Sequence, residues 1–448
     1  MRERLAYGAP AFALALFGVP VFVHLPKFYA DVVGVPLGAL GIAILLTRSW
    51  DALLDPFIGV LSDRTRTRWG RRRPYLMFAP VPLALAVLLL FAPPEGSGVW
   101  WFAGTMTVAF LAWTLVQIPH QALGPELTAD HHERTSLFAV RDGLWIAGTM
   151  VAAAGPAIVA RALGAGQDDE GARHTFAALG VIYAGLLVAL PWLCAFVVRE
   201  RFVVPAKATA IATTPRHTLR EALANRPFRL LLAAYAVGAL GGALPGTLLF
   251  FYVEHVLRAP AYTDLFLGLY FLSGFVCLPL WTAAARRFGK KEAFVSAMAM
   301  SVVVFSGAFV LGPGDTDWFT AIVVLSGAGF GASLVLPSSM QADTIDLDEL
   351  ETGTRREGLF LGLWSVVTKA SAAVGAGVAL PILGAAGYVA GAPQNADVVL
   401  VLRLLYCLVP CACYAAALLI VVRYPLDEAA HAGIRAALDA RKGMDAPA

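Results

Sequence analysis

Charge is the first shortage. Only 15% of the 448 residues are Asp, Glu, Lys or Arg, against 58% hydrophobic residues, and the mean hydropathy is +0.70. A water-soluble domain cannot bury that much apolar side chain, so the composition is that of a polytopic membrane protein. Cysteine is also scarce: Cys194, Cys277, Cys407, Cys411 and Cys413 all fall in apolar runs. There a thiol acts as a small hydrophobe, and packing is favoured over a metal site at Cys407, Cys411 and Cys413. The chain lacks a G-x-x-x-x-G-K-[ST] phosphate loop, so an ATP-driven pump would need a separate subunit. No nucleic-acid signature and no nucleophile–base set emerges. The expectation is a protein that is not an enzyme and that needs no cofactor.

Twelve runs near the roughly 20 residues needed to cross a bilayer are present, at about 8–28, 36–62, 74–92, 98–122, 136–160, 174–198, 227–253, 263–285, 291–312, 317–341, 356–385 and 396–422. The first has a basic start like a signal peptide, but it stays hydrophobic to Phe28 without a clear cleavage site and reads as a span. Most Lys and Arg residues sit at the amino terminus, in alternate loops or in the tail, whereas the other loops hold Lys27, Arg161, Arg173 and Arg258. Cytoplasmic loops retain basic residues. The expected topology is therefore multi-pass in the inner (plasma) membrane with both termini cytoplasmic, surrounded by lipid.

The polar interval 199–226 divides the spans six and six. The expected organisation is a bundle over 1–198, a cytoplasmic linker over 199–226 with a short amphipathic helix near 218–225, a second bundle over 227–424 and a cytoplasmic tail over 425–448. The halves echo each other. PHQALGPELTADHHERTSLF follows span four and PSSMQADTIDLDELETGTRR follows span ten, while span two exits into DRTRTRWGRRRP and span eight into RRFGKKE. Repeated halves with matched charged loops are the build of transporters that rock two bundles about a central site.

Ionisable groups inside spans are informative because each costs roughly 2.5–3.5 kcal/mol at mid-bilayer unless it finds a partner or water. Span two carries Arg48, Asp51 and Asp55 on one helical face. Two carboxylates so close in a poorly solvated place cannot both ionise cheaply, so the pair is expected to hold a proton or share a cation, H+ or Na+. The plainer alternative is a helix-locking ion pair of Arg48 with one aspartate. Lys369, at the middle of span eleven, calls for an anionic neighbour, and Asp51 or Asp55 is the expected one. In span five Arg141 can fork onto substrate hydroxyls or a phosphate, or pair with nearby acidic groups. Thr114, Gln117 and Gln121 form a polar stripe on span four that can line a cavity or bridge helices. His24, Lys27, Glu254 and His255 lie at outer span ends, where interfacial placement is the default. No metal site is expected beyond a possible Na+ at Asp51 and Asp55.

DALLDPFIGVLSDRTRTRWGRRRP (51–74), ADTIDLDELETGTRREG (342–358) and YADVVGVP (29–36) resemble the glycoside–pentoside–hexuronide:cation symporters of the major facilitator superfamily, over nearly the whole chain. The resemblance implies an all-α fold of twelve transmembrane helices in two six-helix bundles and cation-coupled uptake of a sugar, glycoside or related small solute. It also implies cation-site roles for Asp51, Asp55 and Thr114, a functional lysine at Lys369 and a sugar-binding arginine at Arg141. The family's asparagine before the second cation-site aspartate is Leu54 here, which removes an oxygen ligand for sodium and favours a proton. Its helix-one lysine and aspartate fall on Leu14 and Ala15, its helix-four aspartate and aromatic on Gln117 and Gln121, and its helix-ten aromatic on Leu334. Related carriers of this branch take up lysolipids with sodium, so an amphipathic substrate stays open, as does a non-transporting sensor or lipid-binding scaffold. Asp63, Arg64 and Arg71 on one cytoplasmic loop, with Asp343, Asp346 and Arg355 on its counterpart, are expected to form gating latches. A functional monomer is expected.

Overall fold

Hydrocarbon offers a backbone no partner but itself, which leaves helices or a closed barrel. The computed structural model describes residues 2–127, 131–166, 168–200, 222–353 and 357–444. Among the described residues it is helical, with a lone bridge between Thr67 and Gly70. Twelve helices are long and apolar enough to cross a membrane. They are α1 (Arg2–Asp31), α2 (Leu37–Arg64), α3 (Arg73–Phe91), α4 (Val99–Leu127), α5 (His131–Leu163), α6 (Asp169–Val197), α7 (Arg226–His255), α8 (Pro260–Phe288), α9 (Lys290–Val310), α10 (Thr316–Thr352), α11 (Glu357–Ala385) and α12 (Ala396–Val421). A thirteenth, α13 (Glu428–Met444), follows in the tail. Most of the expected linker, and with it the start of the short helix expected near 218–225, lies outside the described residues.

Local chemistry sets the ends. Asp168, Asn225 and Asn395 cap α6, α7 and α12 by accepting from Gly171, Phe228 and Val398 N–H groups at 3.0, 3.0 and 2.9 Å. α10 stops at Gly353, whose φ of +71° suits a left-handed cap that other residues resist. α1 and α12 each contain one π-helical turn, Pro20–His24 and Leu404–Leu408. A proline starts the first and Pro410 follows the second, and such widened turns absorb the carbonyls that proline leaves unpaired.

α10 departs from the sequence expectation. The acidic stretch ADTIDLDELET continues the helix to Thr352 instead of forming a loop, because it holds neither proline nor glycine and its Asp343 and Asp346 find basic partners. α5 likewise starts at His131, before the expected 136.

Helices one to six pack together, as do seven to twelve, and the halves meet where α2 lies on α11, α5 on α8 and α1 on α7. Glycine permits the closest of these approaches. A Cβ at Gly41 would collide with the Pro381 ring, and one at Gly377 would lie 2.5 Å from Leu45. Large apolar groups such as Trp100, Phe57, Val303 and Trp318 face outward, as lipid contact requires.

Within the second half, a Cβ at Gly331 of α10 would collide with the Gly274 carbonyl oxygen of α8. Backbone cannot swing aside as a side chain can, so Gly331→Val should cost about 1–3 kcal/mol and appear as a lowered melting temperature of purified protein. Gly104→Ala on α4, where an added Cβ meets nothing within 4 Å, should leave the melting temperature unchanged or slightly raised.

Candidate functional site

The spacing of three and four residues on α2 turns Arg48, Asp51 and Asp55 towards α4 and α11. Asp51 has no exposed surface. Its Oδ1 accepts a 2.7 Å hydrogen bond from the Thr114 hydroxyl of α4. Its Oδ2 faces Arg48 Nη1 at 3.3 Å and Lys369 Nζ of α11 at 3.1 Å. The same ammonium lies 2.6 Å from Asp55 Oδ2. These two lysine contacts are ion pairs without hydrogen-bond alignment, and Asp55 Oδ1 is buried without a donor. The Arg48 guanidinium sits 4.3 and 4.5 Å from the rings of Phe22 and Phe110, which stabilises a weakly hydrated cation in an apolar setting.

Two cations thus face two carboxylates, and the cluster is neutral when all four are ionised. The Arg48–Asp51 ion pair offered as the plainer alternative is present, but it leaves Asp55 to Lys369. α2 belongs to the first bundle and α11 to the second. The lysine bridge is therefore a bond between the two halves.

A separate cavity of about 230 Å³ lies in the first half, lined by Leu14, Gln117, His120, Gln121, Arg141 and Trp145 among others. It brings together three of the expected substrate residues. Lys369, the fourth, is held at the carboxylates and does not line it. Arg141 pairs with Asp142, its sequence neighbour, at 2.7 Å. Asp142 is 59% exposed, and an ion pair so open is worth at most about 1 kcal/mol, little enough for a ligand to displace. Buried His120 is fixed by a 2.6 Å bond between its Nε2 and the Tyr7 carbonyl. Trp145 was missed from sequence, although its position four residues after Arg141 places it on the same helical face. Leu14 lines the cavity where the family pattern has a charge.

Of the expected gating residues, Arg71, Asp343 and Asp346 have partners within their own halves. Backbone N–H groups of Arg71, Arg72 and Arg73 all donate to Glu200, at 2.8, 2.7 and 3.0 Å, and fold the arginine-rich loop round one carboxylate. Asp343 accepts from Lys290 at 2.7 Å through both oxygens. Asp346 faces His431 at 3.0 Å and Arg435 at 3.2 Å on α13, which ties the tail to α10. Arg64 is exposed. The side chain of Asp63, and Arg355, lie outside the described residues.

At the opposite end, the groups read as interfacial instead form a cluster across the halves. Lys27 of α1 bonds both Asp31 and Glu254 of α7. Tyr388, beyond α11, donates to Asp31 at 3.1 Å and lies 3.2 Å from His255 Nε2. Burial, then the nearby Asp31 and Glu254 carboxylates, push the Tyr388 phenol up, so it remains a neutral donor. The sequence signal was faint because Glu254 lies 227 residues from Lys27 and Tyr388 lies 357 residues from Asp31.

The family model "MFS/sugar transport protein" matches residues 6–428. The "Glucuronide carrier protein homolog" of Escherichia coli (strain K12) is 30% identical over 432 residues, covering 94% of this chain and 91% of the relative. The "Inner membrane symporter YicJ" of the same organism is 28% identical, with 95% and 91% covered. The "Isoprimeverose transporter" of Lactiplantibacillus pentosus is 26% identical, with 95% and 89% covered. Among solved structures, the nucleoside transporter NupG superposes with a TM-score of 0.62 at 11% identity, covering 95% of this chain and 100% of that one. A bacterial homolog of human Spinster superposes at 0.61 with 12% identity, covering 100% and 98%; both likenesses concern the fold. With its twelve apolar helices and a family match from residue 6 to residue 428, the chain belongs to the glycoside–pentoside–hexuronide:cation symporter family of the major facilitator superfamily and is a multi-pass membrane transporter.

Proposed function

We propose that this transporter is a cation-coupled symporter that moves a sugar, glycoside or related small solute by alternating access, with Asp51 and Asp55 holding the coupling ion. The observation that carries the reading is the Lys369 ammonium, set 3.1 and 2.6 Å from the two carboxylates. A site that accommodates one monovalent cation between these oxygens accommodates another, and Asp55 Oδ1 is a buried acceptor in want of a donor. In the lysine-bridged state the cluster is neutral without a coupling ion. When a proton or Na+ binds, Lys369 loses part of its hold on α2, and the bond between halves weakens. Ion occupancy and bundle position are then linked, and the linkage is reciprocal. Substrate binds at Arg141, Gln117 and Gln121, where the exposed Arg141–Asp142 pair exchanges for hydroxyls or an anionic group.

With both termini cytoplasmic, the cluster of Lys27, Asp31, Glu254, His255 and Tyr388 closes the outer side, and this conformation faces inward. The inner charged groups, Asp343 and Asp346 with the loop of Arg64 and Arg71, then pair across the halves when the carrier faces outward. Leu54 brings no oxygen to the ion site, so the proton is the proposed coupling ion. Lipid surrounds a carrier that works as a monomer.

Asp55→Asn, close in shape but without charge, should reduce gradient-driven accumulation in proteoliposomes to background while the purified protein elutes normally; full accumulation would remove Asp55 from the mechanism. Uptake at constant sodium should rise as the outside is made more acidic than the lumen, and a strict sodium requirement at every pH would refute the proton. Lys27→Met should leave Asp31 and Glu254 facing each other with no cation between them and raise labelling of an outward-facing cysteine reporter several-fold. Unchanged labelling would show that this cluster does not hold the outer side shut.

A further inference from the structure

The second half contains a larger cavity, of about 370 Å³, between α7, α8, α9, α10 and α12. Glycines make the room. Gly238, Gly242 and Gly246 recur every four residues along one face of α7 and all line the cavity, and a Cβ added at Gly246 meets nothing within 4 Å. Three glycines on one face of a helix sacrifice helix propensity, and packing between helices does not account for the open space beside Gly246.

Aromatic rings form much of the wall. Tyr270 and Phe330 stack with centroids 5.2 Å apart, and Phe294, Phe305 and Tyr406 contribute further surface. Among the described residues, no Asp, Glu, Lys, Arg or His lines the space. Two hydroxyls in the wall are already spent on their own helices, Ser301 donating to the Ala297 carbonyl at 3.0 Å and Ser326 to the Val323 carbonyl at 3.2 Å. Ser333, Tyr235, Tyr270, Tyr406 and Tyr414 also line the space, so the wall, uncharged and mostly rings and aliphatic groups, favours an uncharged, flat, largely apolar guest. Its volume falls in the range of small-molecule sites, which are mostly apolar, and aromatic walls favour aromatic guests through offset and edge contacts. Val23 of α1, from the other half, completes the lining, so the enclosure depends on how the bundles sit.

We propose that this cavity binds an uncharged aromatic or branched-alkyl group, and that the transported solute carries such a group beside its polar part. The inference about the solute rests on the symport reading above; the inference about the cavity does not. The polar cavity at Arg141 and the apolar one at Gly246 lie in opposite halves, so an amphipathic solute engages both bundles.

The test compares wild type with Gly246→Leu, a change that fills the cavity and improves helix propensity, and with Gly246→Ala as a milder variant. Each is reconstituted in phosphatidylcholine nanodiscs, and ligand-dependent shifts of the melting temperature are titrated with 2-naphthol, 2-naphthyl β-glucoside and methyl β-glucoside. Partition of a probe into lipid is the same for all three proteins and cancels. Naphthyl probes should bind wild type at least tenfold more tightly than Gly246→Leu, with Gly246→Ala between and methyl β-glucoside indifferent to the change. Equal naphthyl shifts in wild type and Gly246→Leu, or none in either, would overturn the proposal. So would native mass spectrometry showing a phospholipid retained by wild type, lost from Gly246→Leu and not displaced by 2-naphthol. If naphthol binds as expected but no glycoside accumulates under an ion gradient, the symport reading fails and the cavity assignment stands.

Discussion

The cost of holding charge away from water constrains the centre of this protein more than any other factor. Arg48, Asp51, Asp55 and Lys369 would each be expensive alone at mid-bilayer, and they are tolerable only together, as two cations against two carboxylates. Removing one partner strands the rest, and breaking a buried pair typically costs about 3–5 kcal/mol. The phenylalanines around Arg48 and the Thr114 hydroxyl on Asp51 fix that half of the cluster. Asp55, with one oxygen undonated and a long flexible lysine as its partner, is the half that can change.

That asymmetry has a mechanical counterpart because the adaptable contact joins α2 to α11 and hence one bundle to the other. The cluster at Lys27 and Glu254 is a second ionic bond between halves, at the end opposite the termini. At the terminal end, Glu200 gathers the arginine loop and α13 covers the acidic end of α10, each within its own half. A carrier that rocks must trade inter-bundle bonds at one end for bonds at the other. The distribution here is what one extreme of such a cycle requires.

Much of the architecture was legible in the sequence, because apolar length and the alternation of basic loops are direct consequences of the bilayer. Arg48, Asp51 and Asp55 were legible for the same reason: helical spacing alone puts them on one face, and hydrocarbon makes any charge conspicuous. Arg141 was legible as a charge within a span and Thr114 as part of a stripe with Gln117 and Gln121, but the cation-site role of Thr114 and the choice of a sugar as the partner of Arg141 came from resemblance. The cluster at Lys27 stayed hidden because each member sits near a span end, where charge is ordinary, and the partners belong to different halves. The helical course of 342–352 was misread as a loop because charge density outweighed the absence of a helix breaker. The glycines of α7 look alike in the sequence, and only the three-dimensional arrangement distinguishes Gly241, where a Cβ would lie 2.7 Å from Cys413, from Gly246, which faces open space.

The two cavities also differ in what they demand of a ligand. Around Arg141 a guest must replace hydrogen bonds and an exposed ion pair, so its polar groups set orientation. Beside Gly246 a guest needs mainly shape and apolar surface, since among the described residues no charged side chain lines the wall. A solute that satisfied the first cavity alone would contact one bundle, and binding would do little to favour one arrangement of the halves over another. A solute reaching both would favour the arrangement in which the cavities face each other, and a ligand can shift a conformational equilibrium only by such differential contact. Coupling therefore gains from a substrate with two unlike ends, and the replacement of family charges by Leu14, Ala15 and Gln117 and of a family aromatic by Leu334 shifts the balance of the site in that direction.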